Sequence, residues 1–305
     1  MLKVLVTGAA GSIGINVIKY LLAEGKYEIT ALDLRNKQVI KKLKKYKRRI
    51  NLLYGDVKDN ILIDALVKDQ DIIIHLASAL PPLSDMKKGL AKIIDYDGTE
   101  NIIRAISYFN PNCHLFYAST TSMYKEKENV SVKTKIELDE HDYFSSAKYD
   151  TEMLIKDKLK HYTIYRIPLV LGNPLKDPFM YHVKKNSMVD YIIKEDAAYA
   201  FVKGIKYIDL LNKKTFNVCA NESILYKDLL NKIVLATGLT FKFVLSRTFL
   251  DKDYYSPVCS DKDNLEEIIH YRNFDLDEYL RRLKISCSKR KFAKVLAKIF
   301  IKDKS

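Results

Sequence analysis

Apolar positions along the chain alternate between two rhythms. Short runs rich in Val, Ile, Leu and Tyr cover Leu2–Thr7, Tyr27–Asp33, Ile50–Tyr54, Asp71–Leu76, Cys113–Ala118 and Tyr162–Ile167. Between them, apolar residues recur every three or four positions, as at Ile15, Val17, Ile18, Leu21 and Leu22 and over the long stretch Ser84–Phe109. Short continuous runs suit strands buried on both faces, and the longer period suits the helices that cover them. Their alternation predicts an α/β fold built on a doubly wound parallel sheet. After Pro168 the alternation becomes irregular. Helical patterns at Asp196–Leu211, Ile224–Thr237 and Asp275–Leu283 are separated by short strands such as Thr215–Val218 and Phe241–Leu245. The charged segment Lys125–His141 has no periodicity and reads as a loop near the active site.

The first strand stops at Gly8, Gly11 and Gly14, and a helical rhythm begins at once. Such a strand–turn–helix aims backbone N–H groups and the positive end of a helix dipole at a phosphate. Gly8 permits the tight turn, Gly11 the approach of a pyrophosphate, and Gly14 close packing of helix on strand, with Ser12 and Ile13 between them. The spacing G-x-x-G-x-x-G differs by one residue from the commoner G-x-G-x-x-G. About 20 residues past the glycines, the second strand ends on Asp33, whose carboxylate suits the adenosine ribose hydroxyls and repels a 2′-phosphate. An ordinary strand-ending aspartate is the alternative. The combination predicts NAD rather than NADP, with Arg35 as a weak opposing charge. Residues 1–167 therefore read as a Rossmann-type NAD-binding domain, residues 168–284 as a smaller substrate-binding lobe interleaved with it, and residues 285–305 as a tail.

Composition narrows the class. With 305 residues, 48% of them hydrophobic, the chain can bury a large core in one large or two modest domains. No apolar run approaches the roughly 18–20 residues that span a bilayer. The N-terminus enters a strand without a signal-peptide layout, which predicts a cytoplasmic protein. Cys113, Cys219, Cys259 and Cys287 lack C-x-x-C spacing and the six histidines lack ligand spacing, so reduced thiols and no metal are expected.

The net charge of +14 is concentrated: ten Lys or Arg against one acid from Arg281 to Ser305, and eight against none from Lys37 to Arg49. That localisation points to a surface partner more than to a nucleic-acid-binding fold. In the tail, Phe292, Val295, Leu296, Ile299 and Phe300 recur at helical spacing among lysines. This predicts a cationic amphipathic helix lying peripherally on the inner membrane surface, or a terminal helix packed on its own domain. RNA binding is the weaker alternative, because neither basic run interleaves stacking aromatics.

Further motifs follow the glycine turn in order: Gly55-Asp56, His75-Leu-Ala-Ser78, Asp95-Tyr-Asp-Gly-Thr99, Phe116-Tyr-Ala-Ser-Thr-Thr-Ser-Met-Tyr124, Lys148 with Glu152, Tyr165-Arg-Ile-Pro168 and Leu171-Gly-Asn-Pro174. Tyr191-Ile-Ile-Lys-Glu-Asp-Ala-Ala198 and Phe216-Asn-Val218 come later. With these, the chain resembles, over roughly residues 1–280, the extended short-chain dehydrogenase/reductases of the NAD-dependent epimerase/dehydratase family acting on nucleotide sugars. The resemblance implies Asp56 and Val57 at the adenine, Leu76, Ala77 and Ser78 at the cofactor phosphates and ribose, and Pro168 on the nicotinamide side. It also implies a nucleotide-sugar substrate and a homodimer. Asp95 stands where the family usually has Asn.

The family's chemistry couples hydride transfer at a sugar carbon to proton transfer by a tyrosinate, whose pKa an adjacent lysine lowers. By resemblance Lys148 is that lysine, bonded also to the nicotinamide ribose of the cofactor, and Thr120 supplies the hydroxyl that bonds the same oxygen, with Ser119 and Thr121 as neighbouring alternatives. The tyrosine of Tyr-x-x-x-Lys is replaced by Phe144, and Tyr143 lies one residue early. On a helix, positions i and i+4 share a face while i and i+5 diverge by roughly 140°. Tyr143 therefore serves only if the helix starts between the two residues or bulges. Three readings stay open: oxidoreduction with Tyr143 or another acid–base group, turnover with substrate or water carrying the proton, and binding of NAD or a nucleotide sugar without turnover.

Overall fold

The computed structural model describes residues 1–81, 84, 89–124, 128–138, 142–173, 186–238 and 256–288. Strands β1 (Leu2–Thr7), β2 (Tyr27–Asp33) and β6 (Tyr162–Ile167) coincide with the apolar runs. β3 (Asn51–Tyr54), β4 (Ile72–His75) and β5 (His114–Thr120) differ from them only at their ends. The intervening helices are α1 (Gly14–Glu24), α2 (Lys37–Leu43), α3 (Asn60–Val67), α4 (Gly98–Phe109) and α5 (Tyr143–Lys158). The long periodic stretch ending at Phe109 is composite: a wide π-type turn, Lys92–Asp97, precedes α4. Such turns are frequent at functional sites. Residues 82–83 and 85–88 of that stretch lie outside the described residues.

With β10 (Lys214–Asn217) at one edge, the strands hydrogen-bond in the order β10-β6-β5-β4-β1-β2-β3, all parallel. β1 lies between β2 and β4, so the strand order reverses there, and ligands in such sheets bind beyond the carboxyl ends at that point. Alternate side chains feed opposite cores. Val4 and Val6 join Val17, Ile18 and Leu21 of α1, whereas Leu5 joins Ile63, Ile102 and Ile155 from α3, α4 and α5.

One expectation about the second half is revised. Thr215–Val218 reads in sequence as a strand of the irregular second lobe, but β10 (Lys214–Asn217) joins the central sheet beside β6. Helix α6 (Lys194–Gly204) likewise covers the first core, through Ala197, Ala198 and Phe201. The physical reason is aromatic: Phe216 packs on Tyr165 of β6 at 6.3 Å between ring centroids, in a core that the local pattern cannot reveal. The helical pattern Asp196–Leu211 breaks after Gly204, where an added Cβ would lie 2.6 Å from the Tyr165 hydroxyl. A separate core gathers β7 (Leu169–Leu171), β8 (Met188–Val189) and β9 (Tyr191–Ile193) with β11 (Ile224–Leu225) and two helices, α7 (Tyr226–Thr237) and α9 (Leu276–Ser288). Helix α8 (Asp263–Ile269) returns to the first core. The expected strand Phe241–Leu245 and the amphipathic pattern Lys289–Lys302 lie outside the described residues. Among the described residues, no helix is long and apolar enough to cross a membrane.

Candidate active site

The glycine turn is dictated by contact. Gly8 has φ +63°, and a Cβ there would sit 2.7 Å from the Ala77 nitrogen, against the backbone leaving β4. A Cβ on Gly14 would collide with the Gly8 carbonyl. The Asp33 carboxylate is fixed at the end of β2, accepting from Ala10 N–H at 2.7 Å and Leu34 N–H at 2.8 Å. Together these elements border a cleft of about 300 Å³. Of the residues expected at a cofactor, Gly8, Gly11, Asp33, Asp56, Val57, Leu76, Ala77 and Ser78 line it. Ser12, Ile13 and Gly14 form the start of α1 beside it without lining it, and Pro168 is buried between β6 and β7. The cleft also takes in Leu34, Val39, Leu80 and Ile94, which no motif marked.

A directional relay positions the cleft wall. Leu76 and Ala77 N–H groups donate to Thr7 Oγ1, and Thr7 lies 2.6 Å from His75 Nδ1. His75 Nε2 lies 2.9 Å from Thr99 Oγ1, which donates to the Asp95 carbonyl. Because both hydroxyls have fixed roles, Nε2 carries the proton and Nδ1 accepts. Burial, with the Lys148 charge as a smaller contributor, pushes the His75 pKa down to about 3, so the imidazole is neutral. At the end of this wall the Ser78 hydroxyl is buried without a partner among the described residues. A turn closed to any Cβ, a fixed acceptor at Asp33 and a spare hydroxyl at Ser78 fit a dinucleotide.

The α5 end of the site is organised differently. Asp142 caps the helix through Ser145 N–H at 3.0 Å, and the helix includes both Tyr143 and Phe144. Neither condition that would bring Tyr143 onto the lysine's face is met at this helix start. Phe144 is buried, and the Lys148 ammonium lies 5.9 Å from its ring centroid, while Tyr143 is half-buried. Lys148 Nζ pairs with Asp95 Oδ1 at 2.9 Å, donates to the Ala118 carbonyl at 2.9 Å and sits 4.8 Å over the Tyr117 ring. Burial acts to lower the lysine's pKa, but the Asp95 carboxylate and Tyr117 outweigh it, leaving the ammonium above its ordinary value. Asp95 Oδ2 accepts from Ala79 N–H at 3.0 Å, so the residue that departs from the family pattern ties the cleft wall to α5.

Thr120 lies at the carboxyl end of β5 with its hydroxyl engaged. It accepts from Ser122 N–H at 3.1 Å and lies 2.8 Å from Ser122 Oγ, which is 2.9 Å from Ser145 Oγ. Ser122 and Ser145 were not marked by the motif, because only folding brings residues 122 and 145 together. Of the two alternatives, Ser119 donates to Glu152 at 2.6 Å, and Thr121 Oγ1 is buried without a partner among the described residues. Beneath them Arg166 holds Glu152 in a bidentate pair at 2.8 and 2.7 Å. Burial acts to raise the Glu152 pKa, but the Arg166 bonds and charge leave it below the ordinary carboxylate range. Arg166 also donates to Tyr124 OH, which donates to Asn217 on β10.

Elsewhere, Cys113, Cys219 and Cys259 are buried free thiols. The sequence spacing concealed that ligand atoms of Cys219, Cys259 and Asp190 come within 4.8 Å of one another. The Asp190 carboxylate is already engaged by Ser223 O–H, Cys259 N–H and Lys262.

Fold and cleft together define an α/β protein with a Rossmann-type parallel sheet and a glycine-bordered cleft at its switch point. A family model for the NAD dependent epimerase/dehydratase family matches residues 4–194, and the chain belongs to that family. Among curated relatives, it is 32% identical over 132 residues to dTDP-glucose 4,6-dehydratase of Mycolicibacterium smegmatis and 26% identical over 132 residues to CDP-paratose 2-epimerase of Salmonella typhi. Each match covers 42% of this chain and 39% of the relative, so the chain spans about two fifths of their length. Among solved structures, dTDP-glucose 4,6-dehydratase of Bacillus anthracis in complex with NAD superposes with a TM-score of 0.77 at 16% identity, covering 95% of this chain and 98% of that one. UDP-glucuronic acid 4-epimerase of Bacillus cereus in complex with NAD gives a TM-score of 0.76 at 17% identity, covering 94% and 99%. At these identities the likeness establishes the fold.

Proposed function

We propose that the chain binds NAD(H) along the glycine turn and a nucleotide sugar beside it, and acts on a sugar carbon as an epimerase, dehydratase or reductase. The observation that carries this reading is the preformed cleft between Gly8, Asp33 and Ser78, closed to side chains where a pyrophosphate approaches. The family and its NAD-complexed structural neighbours support it. Asp33 would receive the adenosine ribose, Asp56 and Val57 the adenine, and Leu76, Ala77 and Ser78 the phosphate and ribose groups. Bound nicotinamide would supply the hydride acceptor or donor. In this reading Thr120 and Lys148 touch the reacting end, and because Phe144 carries no hydroxyl the proton passes through the substrate or water, or through Tyr143 once the first turn of α5 rearranges.

A second reading, binding without turnover, is favoured by one observation: Asp95 neutralises Lys148, whose charge would otherwise acidify a phenol. A tyrosine-to-phenylalanine mutant of the Bacillus cereus UDP-glucuronic acid 4-epimerase was solved with UDP-4-deoxy-4-fluoro-glucuronic acid and NAD, so in that protein such an exchange is compatible with holding both ligands. Calorimetry with NAD⁺, NADH and NADPH, followed by single-turnover transfer of deuterium from labelled nucleotide sugars, separates the readings. NAD(H) binding weakened by Asp33→Ala, with label transfer lost in Tyr143→Phe, supports the enzyme with Tyr143 as base. Transfer unchanged in Tyr143→Phe assigns the proton to substrate or water, and binding without transfer supports the second reading. No NAD(H) binding overturns both.

A further inference from the structure

Of the eight basic residues from Lys37 to Arg49, three lie on α2, two in the tight turn Lys44–Tyr46 after it and three, Lys47, Arg48 and Arg49, just beyond, and all eight are exposed. Val39, Leu43 and Tyr46 are the inward-facing residues that anchor the segment to the core. Some other surface cations meet carboxylates: Lys26 and Lys206 on Glu24, Arg104 on Asp64, Arg281 and Arg282 on Glu278. Among the described residues, no ion pair reaches any of the eight. Lys42 and Arg49 donate to the backbone carbonyls of Ala10 and Leu22, and Lys45 lies 4.8 Å over the Tyr46 ring. Lys37, Lys41, Lys44, Lys47 and Arg48 present their charge to solvent.

After burial, the charge of Lys45 is the next cause holding Lys19 of α1 below its ordinary pKa, and Lys194 of α6 adds to it. One residue along α1, the Tyr20 pKa is pushed up to about 12 by burial and then by the Glu195 and Asp196 carboxylates, with Arg282 of α9 opposing them. Leu34, 51% exposed, and Ile40, 37% exposed, place apolar groups beside the lysines.

We propose that the α2 face, from Leu34 to Arg49, docks the protein on an anionic phospholipid surface. Unpaired lysines beside exposed aliphatic side chains match a charged headgroup layer over an apolar one. A single-stranded nucleic acid would call for stacking aromatics, and the one aromatic here, Tyr46, is buried under Lys45. Because Lys42 bonds the glycine turn and Leu34 and Val39 line the cleft, docking brings the cleft rim to the membrane.

Flotation of the full chain with phosphatidylglycerol/phosphatidylcholine vesicles, and with phosphatidylcholine vesicles, tests this. Binding to the anionic vesicles alone is expected, with release as salt rises from about 0.1 M to about 1 M and the screening length falls to about 3 Å. Lys41→Glu/Lys44→Glu/Lys45→Glu, with its thermal melt checked against wild type, should partition on the order of 100-fold more weakly, each lysine being worth roughly fivefold. A chain ending at residue 288 should keep most of its partition. Binding that survives salt, equal partition of the triple variant, loss of partition on truncation alone, or tighter binding of single-stranded RNA than of vesicles would each overturn the α2 assignment.

Discussion

The adenosine end and the α5 end of the site stand on the same sheet but tolerate change very differently. At the adenosine end the requirement is backbone geometry: a side chain at Gly8 would strike the chain leaving β4, and one at Gly14 would strike Gly8. At the α5 end, in the proposed reading, Phe144 stands where a phenol would carry the proton, which keeps the ring while losing the oxygen. Such a loss would leave Lys148 as a buried cation with a missing neighbour. Asp95 removes that difficulty by supplying a counter-charge at 2.9 Å. The difference is physical: one end is held by backbone contacts that admit no side chain, the other by a buried charge pair that must stay balanced.

The largest expected effect comes from breaking the buried ion pair beneath the α5 end. Glu152→Ala leaves the Arg166 guanidinium buried without its bidentate partner, and breaking such a pair costs about 3–5 kcal/mol. Urea unfolding should show a loss of that size. A loss below about 1 kcal/mol would mean the α5 end is not anchored through this pair. Because the folded Glu152 pKa is depressed, its contribution is present at neutral pH and is lost as pH falls through the acid range below the ordinary carboxylate value.

The next prediction sharpens the contrast itself. Phe144→Tyr alone restores the phenol beside a lysine whose charge Asp95 cancels, so hydride transfer to a nucleotide-sugar substrate should rise by on the order of tenfold. Phe144→Tyr with Asp95→Asn frees the lysine charge to acidify that phenol, and the gain should approach 10²–10⁴-fold, the usual worth of general acid–base catalysis. Stopped-flow measurement of bound-cofactor reduction reads both variants. Equal rates in the single and double variants would show that Asp95 does not quench Lys148.

Much of this contrast was legible in the chain. The six apolar runs, the glycine turn and Asp33 are local signals, and strand ends and turn chemistry are set by neighbours in sequence. Phe144 was equally visible as a break in Tyr-x-x-x-Lys. What stayed hidden depends on long-range contact. Nothing near Lys214–Asn217 indicates that Phe216 will pack on Tyr165, so the strand reads as part of the second lobe rather than the central sheet. The Asp95–Lys148 pair joins residues 53 positions apart across the end of the sheet, and Asp95 alone reads as a near-isosteric exchange for Asn. The hydroxyl chain from Thr120 to Ser145 was hidden for the same reason.

The smallest effect tests whether the adenosine end depends on proton balance. Unfolded His75 titrates near the ordinary value of about 6.5, and folded His75 at about 3. Between those values the unfolded chain binds the extra proton, so stability falls as pH falls. At about pH 5 the linkage amounts to roughly 2 kcal/mol relative to about pH 7.5. Other groups titrate in the same window, including His114, which burial, with His161 as the smaller cause, pushes down to about 4. The informative quantity is therefore the difference between wild type and His75→Asn, which keeps a donor and an acceptor for the Thr7 and Thr99 hydroxyls. Urea unfolding at the two pH values should give a pH-dependent loss smaller by about 2 kcal/mol in the variant, and NAD(H) affinity in wild type should fall with acid in parallel. An identical pH dependence in both chains would mean that His75 is not the titrating element. The wall formed by Leu76 and Ala77 would then be held by Thr7 independently of the imidazole.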